Sequence, residues 1–389
     1  MNNSEGRKAQ HGGDPRGSGV GISRIEGERD AIVLENEFAF HGPDASGKCS
    51  ATFYAFNTAV TLLAFDQTAA RFANEPGAQT LITGAGGGGE LCRTAFLAAR
   101  DACRRYERLF SRTLPHSDIA RLNAADGAWV DIAPETFDVL RASLGYCAES
   151  DGTFDITMGA AVQLWDFHRG IVPDETALRE ALSHVDWRRV ELGDAGEHGA
   201  ARNAGDASTQ ANAFSARARL ADPHASVDIG GTAKGWIADA LGEVLRVSGI
   251  KSYVVNLGGN VLAHGRKPDG HPWIVGLQDP RHRREEAPMA VLGAIELENA
   301  SAVTSGTYER SFSRDGVTYH HILDPATGYP VRTDVAGVTV VARKSMDAEG
   351  YSTTLLALGR ERGAAFVRAH PAIRAAYFID GDGGITVAP

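Results

Sequence analysis

The chain has 389 residues, is 43% hydrophobic and 23% charged, and carries 49 acidic against 39 basic side chains for a net charge of -10. That acidity argues against a protein that holds nucleic acid by neutralising phosphates, and no apolar run approaches the ~18–20 residues of a membrane span. The chain is long enough for two or three cored units or one long domain, and its composition excludes a disordered, coiled-coil or collagen-like protein.

Residues 1–45 lack hydrophobic periodicity and read as a disordered polar tail. Nothing in it has the apolar stretch of a signal peptide, and Ser46-Gly47-Lys48 before Cys49 is unlike a lipidation site. A cytoplasmic location follows, with export the alternative if the start site is misassigned. Residues 51–65, rich in aromatic and β-branched types, predict one or two strands. Apolar or small residues at Phe96, Ala99, Cys103, Tyr106 and Phe110 make a helical stripe, and Phe137, Leu140, Leu144 and Cys147 make another, with Pro134 near its start. A short helix is expected near 173–184.

Residues 193–213 are small and polar, a flexible insertion between strands at 190–192 and 216–220. A helix through Ile237, Leu241 and Leu245 ends at Gly249. Strands are expected at 252–257, 273–277, 291–297, 317–323 and 338–342. A helix from about Asp347 to Gly359, a further short helix and a strand at 375–379 complete the chain. This irregular order favours an α+β fold of mixed, largely antiparallel sheets with packed helices, occupying 50–389. Cys49, Cys92, Cys103 and Cys147 form no CxxC pair, so no disulfide framework is expected.

Thr83-Gly84-Ala85-Gly86-Gly87-Gly88-Gly89-Glu90 fits GxGxxG, but no strand with a ribose-binding acid follows its helix, and it reads as a surface loop. Asp228-Ile229-Gly230-Gly231-Thr232-Ala233-Lys234-Gly235 is more informative. Glycines and a lysine opening an amphipathic helix suit an anionic phosphate, although a tight strand-to-helix turn explains them equally well. Asn256-Leu257-Gly258-Gly259-Asn260 ends a strand in a turn, and Thr304 through Arg310 supplies hydroxyls. His320 and His321 lead into Leu323-Asp324-Pro325, and on a strand the two imidazoles point to opposite faces. No HExxH motif or nucleophile elbow supports zinc proteolysis or serine hydrolysis.

These segments, with Phe56-Asn57-Thr58, Ser111-Arg112-Thr113, Arg121-Leu122-Asn123, Asp151 through Gly159 and Leu164-Trp165-Asp166-Phe167, resemble the ApbE-type FAD:protein FMN transferases from about Thr52 to the C-terminus. The resemblance implies a single T-fold-related catalytic domain that transfers FMN from FAD to a Thr or Ser hydroxyl of an acceptor protein and releases AMP. FAD is then the substrate, Mg²⁺ the cofactor and the acceptor protein the partner, with no nucleic acid and no membrane span. The alternatives are an FAD pyrophosphatase giving FMN and AMP, or a non-catalytic flavin-binding protein. Carried over by position, Phe56, Thr113, Thr153, Phe154, Asp155, Asp228, Lys234 and Leu323 would contact FAD. His321 and Lys234 would serve catalysis, and Gly231, Glu349, Ser352 and Thr353 the metal. Glu349 stands where relatives carry aspartate, with Asp347 as the substitute in another register. Glu349 and Thr353 are four residues apart, one helical turn, so their oxygens can face the same way.

Overall fold

The computed structural model describes residues 38–65, 89–194, 216–282 and 290–389. Strands β1 (Phe38–His41), β2 (Lys48–Ala55) and β3 (Thr58–Phe65) run antiparallel, and every second residue of β2 from Cys49 onward is buried. That is the period of a strand with one covered face. A two-residue turn joins β2 to β3, with Phe56 and Asn57 at φ of 52° and 56°, the left-handed pair that a tight hairpin demands. Glu107 accepts the Phe56 N–H at 2.6 Å, anchoring a phenylalanine in a conformation it rarely adopts.

Helix α1 (Glu90–Phe110) lays its Phe96, Cys103 and Phe110 stripe against the sheet. Helix α2 (Asp118–Asn123) is capped by the Ser117 hydroxyl, which accepts the Ala120 N–H. Strand β4 (Val130–Ile132) leads to α3 (Pro134–Glu149), whose Pro134 occupies a first-turn position that needs no N–H. Helices α4 (Gly159–Gln163) and α5 (Glu175–Ser183) precede β5 (Val190–Asp194) and β6 (Ala216–Leu220). Strands β4, β6 and β5 form a small sheet in that order.

Helix α6 (Ala233–Val247) is followed by the hairpin of β7 (Tyr253–Leu257) and β8 (Asn260–His264). Then come the ribbon of β9 (Trp273–Gln278) with β10 (Val291–Leu297), strand β11 (Ala300–Gly306) and the ribbon of β12 (Ser311–Arg314) with β13 (Val317–His320). Strand β14 (Gly337–Ala342), helix α7 (Ser345–Ala369), β15 (Ile373–Ile379) and β16 (Ile385–Ala388) end the chain.

The main sheet has nine antiparallel strands in the order β1-β2-β3-β7-β8-β11-β14-β15-β16. Helices α1, α6 and α7 cover one face, where Phe96, Leu241, Leu245, Leu355 and Phe378 lose all contact with water. The β9–β10 ribbon covers the other, with Trp273, Leu277 and Leu297 buried against Val254 and Val341. All six residues of β14 are buried, as expected of a strand covered on both faces. Each large side chain so buried contributes about 1.5–3 kcal/mol.

The expected α+β class and largely antiparallel pairing are those observed. Several boundaries differ, among them the strand expected at 317–323, which ends at His320 and leaves His321 outside it. Strand β1 lies inside the stretch read as a tail, because Phe38 and Phe40 pack on the core while polar neighbours mask a four-residue strand. Gly193 and Asp194, read as the start of an insertion, still pair with β6. The rest of that insertion to 213, the tail to 37 and the Thr83–Gly88 part of the glycine-rich segment fall outside the described residues. The break expected at Gly359 is a kink at φ 72° within α7, where Asp334 accepts the Arg360 N–H at 3.0 Å. All four cysteines are buried, and burial pushes the Cys103 and Cys147 thiols up to about 12, so these two pack as apolar groups. No helix among the described residues is long and apolar enough to cross a membrane.

Candidate active site

The site begins where α6 and α7 touch. A Cβ on Gly235 would stand 2.7 Å from both Met346 Cα and the Ser345 carbonyl oxygen, so only glycine lets the two backbones meet. On the same helix, the Asp239 carboxylate accepts the N–H groups of Ser345 at 2.8 Å and Met346 at 3.0 Å, capping α7 from its neighbour. This contact brings Lys234 of α6 against Glu349 of α7.

The Lys234 ammonium donates to Glu349 Oε1 and lies 3.3 Å from the Gly230 carbonyl oxygen. Glu349 is only 4% exposed. Its other oxygen, Oε2, accepts from Asn260 Nδ2 at 2.8 Å, and Asn260 Oδ1 in turn accepts the Ser345 hydroxyl at 2.5 Å. A buried carboxylate is thus paired and hydrogen-bonded, as its desolvation requires. Asp347 belongs to a different contact, accepting from the Tyr146 hydroxyl at 2.7 Å. The Ser352 hydroxyl donates to the Glu349 carbonyl at 2.9 Å and lies 2.8 Å from Ser305 Oγ, while Thr353 is half-buried one turn beyond Glu349.

The turn that carries Lys234 is organised by Asp228. Its Oδ1 accepts the Gly230 N–H at 2.8 Å, and its Oδ2 lies 3.2 Å from Arg112 Nε. Gly231 sits under a ring, since a Cβ there would be 2.9 Å from Phe154 Cε2. Asp155 accepts the Thr157 N–H and hydroxyl at 2.7 and 2.6 Å and the Trp187 N–H at 3.1 Å. It anchors its own loop, and burial still holds its carboxyl above the usual range against those donors. Thr153 lines a cavity of about 630 Å³ together with Asp324, Tyr329, Arg332 and Arg362. Leu323, buried and bridged to Pro330, lies next to it in sequence.

His321 Nδ1 is 3.0 Å from the Glu309 carbonyl oxygen. A carbonyl only accepts, so Nδ1 bears the proton and Nε2 keeps a lone pair. Burial, then the Arg310 charge, lower its pKa to about 4, and Lys234 is near enough to add to the effect. His320 ends β13, is buried, and is likewise lowered by burial. Thr113 is exposed, with its hydroxyl 3.1 Å from Ser111 Oγ, and Phe56 caps the β2–β3 hairpin. The structure therefore joins Gly230, Lys234 and Glu349 in one cluster, Phe154 to Gly231, and Thr153 to the Asp324–Arg332 turn. Sequence reasoning gave no role to Asn260, Arg112, Asp239 or Tyr146. Asn260 left a signal as the residue directly after a Gly-Gly turn, and Arg112 as the middle of the Ser111-Arg112-Thr113 segment.

Among the described residues no three His, Cys, Asp or Glu side chains converge, so a metal here would have one carboxylate and otherwise neutral oxygens. The position already holds a cation, the Lys234 ammonium, between a backbone carbonyl and a carboxylate. Such hard oxygen donors suit Mg²⁺, which typically takes one or two carboxylates and keeps several waters. The residues fit that ion.

The architecture is that of a group of flavin transferases. The fold matches the ApbE protein of Thermotoga maritima with a TM-score of 0.69 and 25% identity, covering 90% of this chain and 96% of that one. It matches the flavinyl transferase ApbE of Pseudomonas stutzeri with a TM-score of 0.66 and 25% identity over 90% and 94%. The FAD:protein FMN transferase of Treponema pallidum (strain Nichols) is 34% identical over 313 residues, 74% of this chain and 82% of that protein. Its counterpart in Klebsiella pneumoniae (strain 342) is 32% identical over 268 residues, 68% and 76% of the two chains. The ApbE family model matches residues 77–378. The chain belongs to the ApbE family and is a transferase.

Proposed function

We propose that this protein transfers FMN from FAD to a threonine or serine hydroxyl of an acceptor protein, releasing AMP, with Mg²⁺ at the Glu349 cluster. The single observation that carries this reading is the Lys234 ammonium held between the Gly230 carbonyl and the buried Glu349 carboxylate, an oxygen-lined cation position at the mouth of a glycine turn. The names of the Treponema and Klebsiella relatives support the reaction.

In this reading Glu349, Thr353 and the carbonyls of the Gly230–Gly231 turn hold the metal. Ser352, whose hydroxyl is committed to its own helix and to Ser305, drops out of that set. When bound, Mg²⁺ neutralises diphosphate charge and stabilises the leaving phosphate. Lys234 adds a positive charge to the diphosphate, and the cavity beside Thr153, about 630 Å³, falls within the range typical of cofactor pockets. His321 offers Nε2 to the acceptor hydroxyl and takes its proton as the oxygen attacks phosphorus. The nucleophile belongs to the acceptor, so no reactive serine or cysteine of this chain is required.

Incubation of the purified protein with FAD and Mg²⁺, with and without an acceptor, tests the proposal. AMP release that depends on acceptor, with flavin covalently attached to it, is the expected result. FMN and AMP formed without acceptor would make the protein a pyrophosphatase, and tight FAD retention with no product would make it a binding protein.

A further inference from the structure

We infer that Asn260 is the positioning residue that makes Glu349 a one-oxygen metal donor, and that the Lys234 ammonium keeps that oxygen's place until a divalent cation displaces it. The inference rests on the metal reading above and adds to it how the carboxylate is presented and what ion it prefers.

Asn260 is 1% exposed at the first position of β8. Its amide can face only one way, because the Glu349 carboxylate only accepts: Nδ2 donates to Oε2 at 2.8 Å, and Oδ1 is left to accept the Ser345 hydroxyl at 2.5 Å. Ser345 is itself fixed, with Ser301 Oγ 3.0 Å from its hydroxyl and its N–H held by Asp239. Oε2 is therefore engaged on the buried side. Oε1 faces Lys234, whose side chain is 32% exposed against 5% for Glu349, so the pair opens to solvent on the lysine side.

Two consequences follow. A carboxylate with one oxygen locked cannot grip an ion with both. Single-oxygen ligation suits small, octahedral Mg²⁺, whereas two-oxygen ligation is common for Ca²⁺. Entry of the metal is also an exchange of one cation for another, so Glu349 is never left buried without a counter-charge. The displaced ammonium remains at the glycine turn, free to meet the diphosphate.

Calorimetric titration of the FAD-free protein with Mg²⁺ and with Ca²⁺ tests this. In Asn260→Ala, Mg²⁺ affinity should fall by about tenfold, the usual loss when a ligand's orienting partner is removed, while Ca²⁺ affinity holds or rises. A merely structural role would weaken both ions alike and would overturn the inference. In Lys234→Met, Mg²⁺ should bind about tenfold tighter, the equivalent of about 1.4 kcal/mol of competition removed, and should raise the Tm more than it does in wild type. Unchanged or weaker Mg²⁺ binding in that variant overturns the inference, and it decides alone if Asn260→Ala does not fold. Wild-type protein that binds no Mg²⁺ would remove the metal reading itself, a result distinct from normal wild-type binding with insensitive variants.

Discussion

Gly235 and Met346 meet backbone to backbone, with the α-carbon of Met346 only 2.7 Å from where a side chain on residue 235 would begin. Because the obstructing atoms are main chain, they cannot swing aside. Gly235→Ala should cost about 1–3 kcal/mol by overpacking and should also part Lys234 from Glu349. Gly242 on the same helix is the control, since its nearest obstruction at 2.8 Å is the flexible end of Leu262. Denaturant melts of the two variants should show the larger loss at 235, with weakened Mg²⁺ binding only there. Equal losses at both positions would refute the backbone contact as the feature that sets the site.

Under the proposed metal assignment, the choice between the two acids rests on their partners rather than on sequence spacing. Tyr146 donates to Asp347, whereas Glu349 faces Lys234 and Asn260. Asp347→Asn should leave Mg²⁺ affinity and transfer within a fewfold of wild type, and Glu349→Gln should abolish metal dependence. Tyr146→Phe should cost about 1.5–3 kcal/mol of stability, as for a hydrogen bond to a charged group, without altering the Mg²⁺ titration. Loss of metal binding in Asp347→Asn alone would reverse the assignment.

Stability should carry two opposed pH dependences. Burial raises the Asp239 carboxyl to about 6 despite its two backbone donors, so the folded state holds that proton more tightly than the unfolded one. The Asp239 contribution is therefore present at low pH and lost as pH rises from about 4 through about 6. His321, lowered to about 4, favours the neutral ring in the folded state. Its contribution is complete above pH about 6.5 and lost as pH falls toward about 4. Each amounts to at most about 3 kcal/mol. Asp239→Asn should remove the first, so that its stability climbs more steeply than wild type between pH 4 and 6 in urea melts. A parallel pair of curves would exclude Asp239 as a titrating group.

Much of this fold was legible because its signals are local. The stripes of α1, α3 and α6, the aromatic run of β2 and β3 and the kink at Gly359 each follow from neighbours within a turn or a hairpin. Strand β1 was not legible, since four residues carry too short a pattern. At the site, Lys234 and Glu349 were both singled out, yet their ion pair spans 115 residues and no spacing rule reaches so far. Separations of 106 and 201 residues likewise hid Asp239 as the cap of α7 and Tyr146 as the partner of Asp347.

The tautomer of His321 leads to the last expectation. With Nδ1–H given to the Glu309 carbonyl and the ring held neutral down to about pH 4, Nε2 is available as a proton acceptor throughout the physiological range. Single-turnover FMN transfer should therefore show no acid limb near pH 6.5, the value of an ordinary imidazole, and should decline only as pH approaches about 4. His321→Gln, which keeps a polar group but cannot take the proton, should slow transfer by about 10²–10⁴-fold, the range for loss of a general base. Its FAD binding should stay near wild type. If the rate instead falls with a midpoint near 6.5, or if His321→Gln transfers at the wild-type rate, the histidine neither stays neutral nor accepts the proton, and another group must deprotonate the acceptor hydroxyl.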